Sequence, residues 1–170
     1  MAQQAAHSGV SSRGTMSLSD QSPFPEIATE LRQTVEAAGV KLLSMDEAAA
    51  ARPLAPGKWS AKQVLGHLID SAANNHHRFV RAQAMSPLEF PAYEQDHWVS
   101  CQQYTDRRWS ELVRLWHEYN QHLAHVISRL PESRREVACK IGTDAPVTLG
   151  FLANDYLVHL EHHLGQLIEA

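Results

Sequence analysis

Cysteine is scarce in this chain, with 2 residues in 170, Cys101 and Cys139. Two are too few for a disulfide framework, and their spacing matches no metal motif. A reducing compartment, the cytoplasm, suits them. Basic charge is also short: 15 Lys and Arg stand against 19 Asp and Glu, a formal net charge of -4. A chain with no cationic excess has little to set against phosphates, so nucleic acid is not an expected partner. No apolar run approaches the ~18 residues of a membrane span, so no membrane is expected either. The N-terminus shows no charged segment leading into an apolar core, and no signal peptide is expected.

What is present is the composition of an ordinary globular domain, 44% hydrophobic and 20% charged. The length fits one domain with a full core. Residues 1–22 are polar and rich in Ser, Gly and Gln, which predicts a flexible tail and leaves 23–170 as the folded domain. Histidine is the unusual count, at 11.

Helical periodicity dominates from Pro25 onward. Ile27, Leu31, Val35 and Leu42 share one face of a first helix that Gly39 weakens. Two prolines and a glycine in "ARPLAPGKW" break it. Ser60 followed by Gln63 is a capping-box pattern, so a second helix starts there and runs to about Ala84. Residues 85–104 lack periodicity and read as a long irregular loop, a kind of segment that is often functional. Trp109, Leu112, Trp116, Tyr119, Leu123, Val126 and Leu130 repeat in steps of three and four, which predicts a third helix over about 105–130. A second long connection, 131–147, has room for a short strand. Thr148 then caps a last helix. Four amphipathic helices with no strand ladder predict an all-α four-helix bundle with long connecting loops.

The last helix carries "HLEHH", residues 159–163. Its apolar stripe is Leu149, Ala153, Tyr156, Leu160, Leu164 and Leu167. His159 and His163, at i and i+4, lie side by side along the border of that stripe, where two imidazoles can aim at one point. By itself such a pair is more often a polar edge than a metal site. His162 sits further from the core. Asp155 and Gln166 share the edge, and either reads as a surface group or as an outer partner of a histidine.

On the second helix the stripe is Ala61, Leu65, Leu68, Ile69, Ala72 and Phe79, with His76 inside it. His67 lies on a polar row with Ser60, Gln63, Asp70, Ser71, Asn74 and Arg78. Pattern alone favours a solvated face for this row, with the wall of a polar cavity as the alternative. His117, His122, His125 and His97 are expected at the surface, as is His7 in the tail.

"GKWSAKQVLGHLIDSAANNHHRF", "YEQDHWVSCQQY" and "TLGFLANDYLVHLEHHLGQL" together resemble the DinB/YfiT-like family of metal-dependent proteins. The likeness runs in order from about residue 25 to the C-terminus. Its specific parts are the Trp-Ser helix start, the histidine about two turns on, and the terminal H-x-x-x-H-x-x-Q. The resemblance implies a four-helix bundle holding one divalent metal ion per chain on three histidines. At matching positions these are His67, His159 and His163; His162 matches no ligand position. It thereby favours the polar cavity over the solvated face. It also implies zinc or nickel, with iron, manganese or cobalt as further options, and a homodimer.

Three neutral imidazoles leave a divalent ion its full charge and open positions, where bound water ionises near pH 7. A hydrolase that activates water is the first reading. A thiol-dependent S-transferase using bacillithiol, mycothiol or glutathione is the second, and a non-catalytic, metal-stapled ligand-binding dimer the third. Asp70, Asp155 and Tyr93, with Asp96, are the candidate proton carriers. Asn74 and Arg78 continue the His67 row and are candidates for holding an anionic part of a small-molecule substrate. Neither cysteine has a base partner in view, so a protein nucleophile is not expected.

Overall fold

The structure, a computed structural model, describes residues 22–168. Apart from Ser22, the tail expected over 1–22 lies outside the described residues. Six helices and three short strands follow in order: α1 (Phe24–Ser44), α2 (Glu47–Ala51), α3 (Ala61–Ala82), β1 (Leu88–Phe90), α4 (Gln95–Gln102), α5 (Trp109–Ser128), β2 (Ala138–Ile141), β3 (Val147–Thr148) and α6 (Leu149–Ile168).

The four long helices are those the periodicity predicts, and their stripes form one core. Ile27, Leu31, Val35 and Leu42 of α1 are buried, as are Leu112, Trp116 and Leu123 of α5 and the whole stripe of α6. The capping box of α3 forms as expected: Ser60 Oγ accepts from the Gln63 amide, and Gln63 Oε1 accepts from the Ser60 amide at 3.0 Å. Thr148 Oγ1 accepts from Phe151 N at 3.1 Å and caps α6. At its other end α3 is closed by Arg134, which donates to Ala82 O and Met85 O, both at 2.7 Å, and so satisfies carbonyls the helix leaves open.

The bundle does not run simply up and down. α1 packs on α5 and α6, and α3 packs on the same two helices, so the first and second long helices stand diagonally. α3 and α6 are antiparallel neighbours: His67 meets His159 and His163, and a helix end away Phe79 meets Tyr156. Between them Tyr156 Oη donates to Asn120 Oδ1 of α5, tying three helices inside the core.

Two expectations are corrected. The stretch 85–104 is not one irregular loop. It holds β1 and the eight-residue α4, and a turn of 3-10 helix over 104–106 follows it. Strand and helix both escape the periodicity test because each is too short to repeat. The connection 131–147 does hold strand: β2 pairs in parallel with β1 and antiparallel with β3. This small sheet, and α4 with it, lies against α3. Third-helix residues 105–108 are not in α5, which begins at Trp109.

The second correction concerns the solvated face that pattern alone favours for the polar row of α3; the covered wall implied by the resemblance is what forms. Ser60, His67, Asp70, Ser71 and Asn74 are buried, and Gln63 and Arg78 half-buried. The row is no solvated face: α4 and its flanking turns cover Asp70 and Ser71, and α6 with Trp59 covers His67.

Candidate metal centre

Two helices bring the site together. α3 presents His67, and α6 presents His159 and His163 one turn apart. One ring nitrogen from each lies within 4.8 Å of the other two. His67 Nε2 is 3.2 Å from His159 Nε2. The ring centroids stand 5.1 Å apart for His67–His159, 4.9 Å for His67–His163 and 4.6 Å for His159–His163, all edge to face. No fourth His, Cys, Asp or Glu joins this group among the described residues.

The rings are held in the form a cation needs. Burial pushes His67 down to about 3 and His159 to about 4, with the neighbouring imidazoles adding to the shift. His163 is lowered too, mainly by burial, although its bond to Gln166 opposes the change. All three are neutral at pH 7, and the neutral imidazole is the ligand. The donor set also fits by size. Two nitrogens about 2.05 Å from a tetrahedral ion stand about 3.3 Å apart, close to the His67–His159 separation.

Gln166 sets the orientation of one ring. His163 Nδ1–H donates to Gln166 Oε1 at 3.1 Å, which leaves Nε2 to face the other histidines. The Gln166 amide in turn donates to His162 Nε2 at 3.0 Å. His162 is exposed and outside the cluster, so its part is to anchor Gln166. Trp59 packs its ring 5.5 Å from that of His67.

The candidate proton carriers separate clearly. Asp70, three residues past His67, is 2% exposed. Its Oδ1 accepts from Tyr104 Oη and from Gln102 Nε2, both at 2.6 Å. Its Oδ2 is buried with no hydrogen-bond partner. Burial raises its pKa against the pull of those two donors. Tyr93 is half-buried, its ring tilted against that of Trp98 with centroids 5.1 Å apart, and pushed up to about 12 by burial and by the charge of Asp70. Asp155 and Asp96 are exposed.

The two candidate substrate contacts differ. Asn74 is buried and donates its amide to Asp70 O at 2.9 Å, a bond within its own helix. Arg78 is half-buried, its Nη1 on Asn75 Oδ1 at 3.3 Å and its guanidinium 5.7 Å from the Phe90 ring. Burial lowers its pKa while Tyr93 and Asp155 oppose that. Arg78 Nε is buried without a partner.

Of the remaining histidines, His122, His125 and His97 are exposed as expected. His117 is half-buried, 3.3 Å from Glu36. His76 is also half-buried, its Nδ1 3.2 Å from the Tyr119 hydroxyl. Both cysteines are free.

Tyr104 and Gln102 escaped the sequence reading as partners of Asp70. The one available signal was Gly66, a glycine inside a helix beside a histidine. A Cβ there would stand 2.1 Å from Tyr104 Cδ2. Glycine lets the tyrosine ring lie on the helix backbone and reach Asp70.

A bundle with three neutral imidazoles facing one point defines a class of metal-site proteins. The family model of the DinB superfamily matches residues 27–167, and the chain belongs to that superfamily. Among solved structures it is similar to YfiT from Bacillus subtilis, described as a probable metal-dependent hydrolase with an unusual four-helix bundle topology. The TM-score is 0.72 at 21% identity, over 92% of this chain and 89% of that one. At that identity the likeness shows the fold alone. Comparison with curated proteins gives no match.

Proposed function

We propose that the protein is a metal-dependent hydrolase whose divalent ion is held by His67, His159 and His163. The observation that carries this is the meeting of three neutral imidazole nitrogens within 4.8 Å, drawn from two helices. A closed structural zinc site uses four protein ligands, whereas three leave a position for water or substrate. A divalent ion there supplies a Lewis acid and lowers the pKa of water to about 7. Zinc and nickel both suit the donor set.

The chain's own residues supply the rest. Gln166 keeps the His163 ring turned inward. Trp59, against His67, and Tyr93, beside Asp70 and Ser71, shield the polar row from bulk water. Arg78, three turns beyond His67 on the same row, offers a half-buried cation to an acidic part of the substrate, and Asn74 keeps the helix between them satisfied. The free cysteines suit a reducing compartment, and no described helix is long and apolar enough to cross a membrane.

The test is elemental analysis of purified protein, followed by ester and amide turnover with and without a thiol. About one divalent ion per chain, lost in His67→Ala and in His163→Ala, is expected. Unchanged metal content in those variants overturns the assignment. Turnover that requires bacillithiol, mycothiol or glutathione moves the reaction to thiol transfer at the same histidines.

A further inference from the structure

Asp70 is a buried carboxylate with its two oxygens in unequal settings. Oδ1 takes two donors at 2.6 Å, the Tyr104 hydroxyl and the Gln102 amide. Oδ2 takes none. A carboxylate oxygen closed off from water without a partner is costly, and more so when the group is charged. Such an atom calls for a proton, an ordered water or a ligand's donor to complete it. Asp70 also lies one helical turn from His67, a spacing that puts their Cβ atoms about 5–6 Å apart.

We propose that Asp70 takes up and returns the proton of the reaction at the three-histidine centre, acting through Oδ2 while Tyr104 and Gln102 hold Oδ1. This rests on the hydrolase reading above. As the attacking water forms its bond to the substrate carbonyl carbon, one O–H bond breaks and the proton passes to Oδ2. As the bond from that carbon to the leaving nitrogen or oxygen breaks, the proton moves from Oδ2 to the departing atom. The carboxylate ends as it began, and only water is consumed.

The surroundings favour that exchange. Burial raises the affinity of Asp70 for a proton, and a stronger base is a better acceptor near neutral pH. The groups facing it from other elements are Tyr104 and Gln102, with Tyr93 from the turn before α4; Tyr104 and Tyr93 are themselves raised by burial and stay neutral. His67 and Ser71 flank it on its own helix. Tyr104 and Gln102 are positioning residues, and Gly66 is what lets Tyr104 lie close enough to serve.

The experiment uses the full chain loaded with cobalt(II), whose visible absorption reports ionisation at the centre. Infrared spectra against pH are recorded in parallel for a protonated carboxyl stretch. Wild type should keep such a stretch above the ordinary Asp value of about 3.9. Asp70→Asn should remove it, keep the cobalt stoichiometry and shift the visible titration by about one pH unit or more. Tyr104→Phe, which leaves the carboxyl in place and removes one donor, should carry the stretch to higher pH. A cobalt titration identical in wild type and Asp70→Asn overturns the proposal. So does a carboxyl stretch that Asp70→Asn leaves untouched. A wild type that takes up no cobalt overturns the hydrolase reading itself, and this assignment with it.

Discussion

His67 Nε2 and His159 Nε2 stand 3.2 Å apart although 92 positions separate them in the chain. With no cation, one of these uncharged imidazoles donates its Nε2–H to the other, and which one donates depends on the tautomer. A shared cation satisfies both, and Gln166 turns the third ring to the same point. Gln166→Ala removes the acceptor of His163 Nδ1–H while leaving all three ligands. Metal affinity should fall by about 10–100-fold. Competition with a chromophoric chelator measures it, and unchanged affinity would show that Gln166 is only a polar edge.

Acid should weaken the metal-free fold. In the unfolded chain a histidine titrates near 6.5, but His67 in the fold takes its proton only near 3 and His159 near 4. Between those values the unfolded state binds more protons, so stability rises with pH and drops as pH falls through 6.5. The slope from His67 approaches about 1.4 kcal/mol per pH unit. Urea unfolding of the metal-free protein at pH 7, 6 and 5 reads it. A midpoint that stays level across this range is the contrary result.

Gly66→Ala should disturb the site without touching a ligand. Its Cβ would meet the Tyr104 ring at 2.1–2.6 Å, and an aromatic ring wedged on a helix cannot give way by bending. Overpacking of this kind costs about 1–3 kcal/mol. Because Tyr104 is displaced, Asp70 loses a donor as well. Thermal denaturation shows the first effect and the carboxyl titration of Asp70 the second.

Tyr156→Phe deletes one hydroxyl from the centre of the bundle. Asn120 Oδ1 is then buried without its donor, since the Asn120 amide already serves Trp116 O at 2.8 Å. A cost of about 1–3 kcal/mol is expected, with metal content unchanged. Calorimetry checks the first and elemental analysis the second. Tyr156→Phe as stable as wild type would show that Asn120 finds another donor.

The long helices were legible because their evidence is local. Ile27, Leu31 and Val35 repeat at helical spacing, Ser60 and Gln63 state where α3 begins, and Thr148 where α6 does. Short elements were not. The three residues of β1 and the eight of α4 offer too few positions for a period to show. The His159–His163 pair was visible as spacing within one helix, and His67 was reached through its resemblance to a known pattern.

Sequence alone determined which faces of the four helices are apolar, because that depends on residues a turn apart. It also supplied the capping chemistry and the acidic, cation-poor composition. Only the tertiary structure decided that the polar row of α3 is a covered interior wall. Burial of a polar face depends on what packs over it, and over Asp70 that is α4, whose Gln102 and the following Tyr104 come from beyond any helical period. The same holds for Asp70. Its type was readable, but the unequal setting of its two oxygens arises where α3 meets a distant turn.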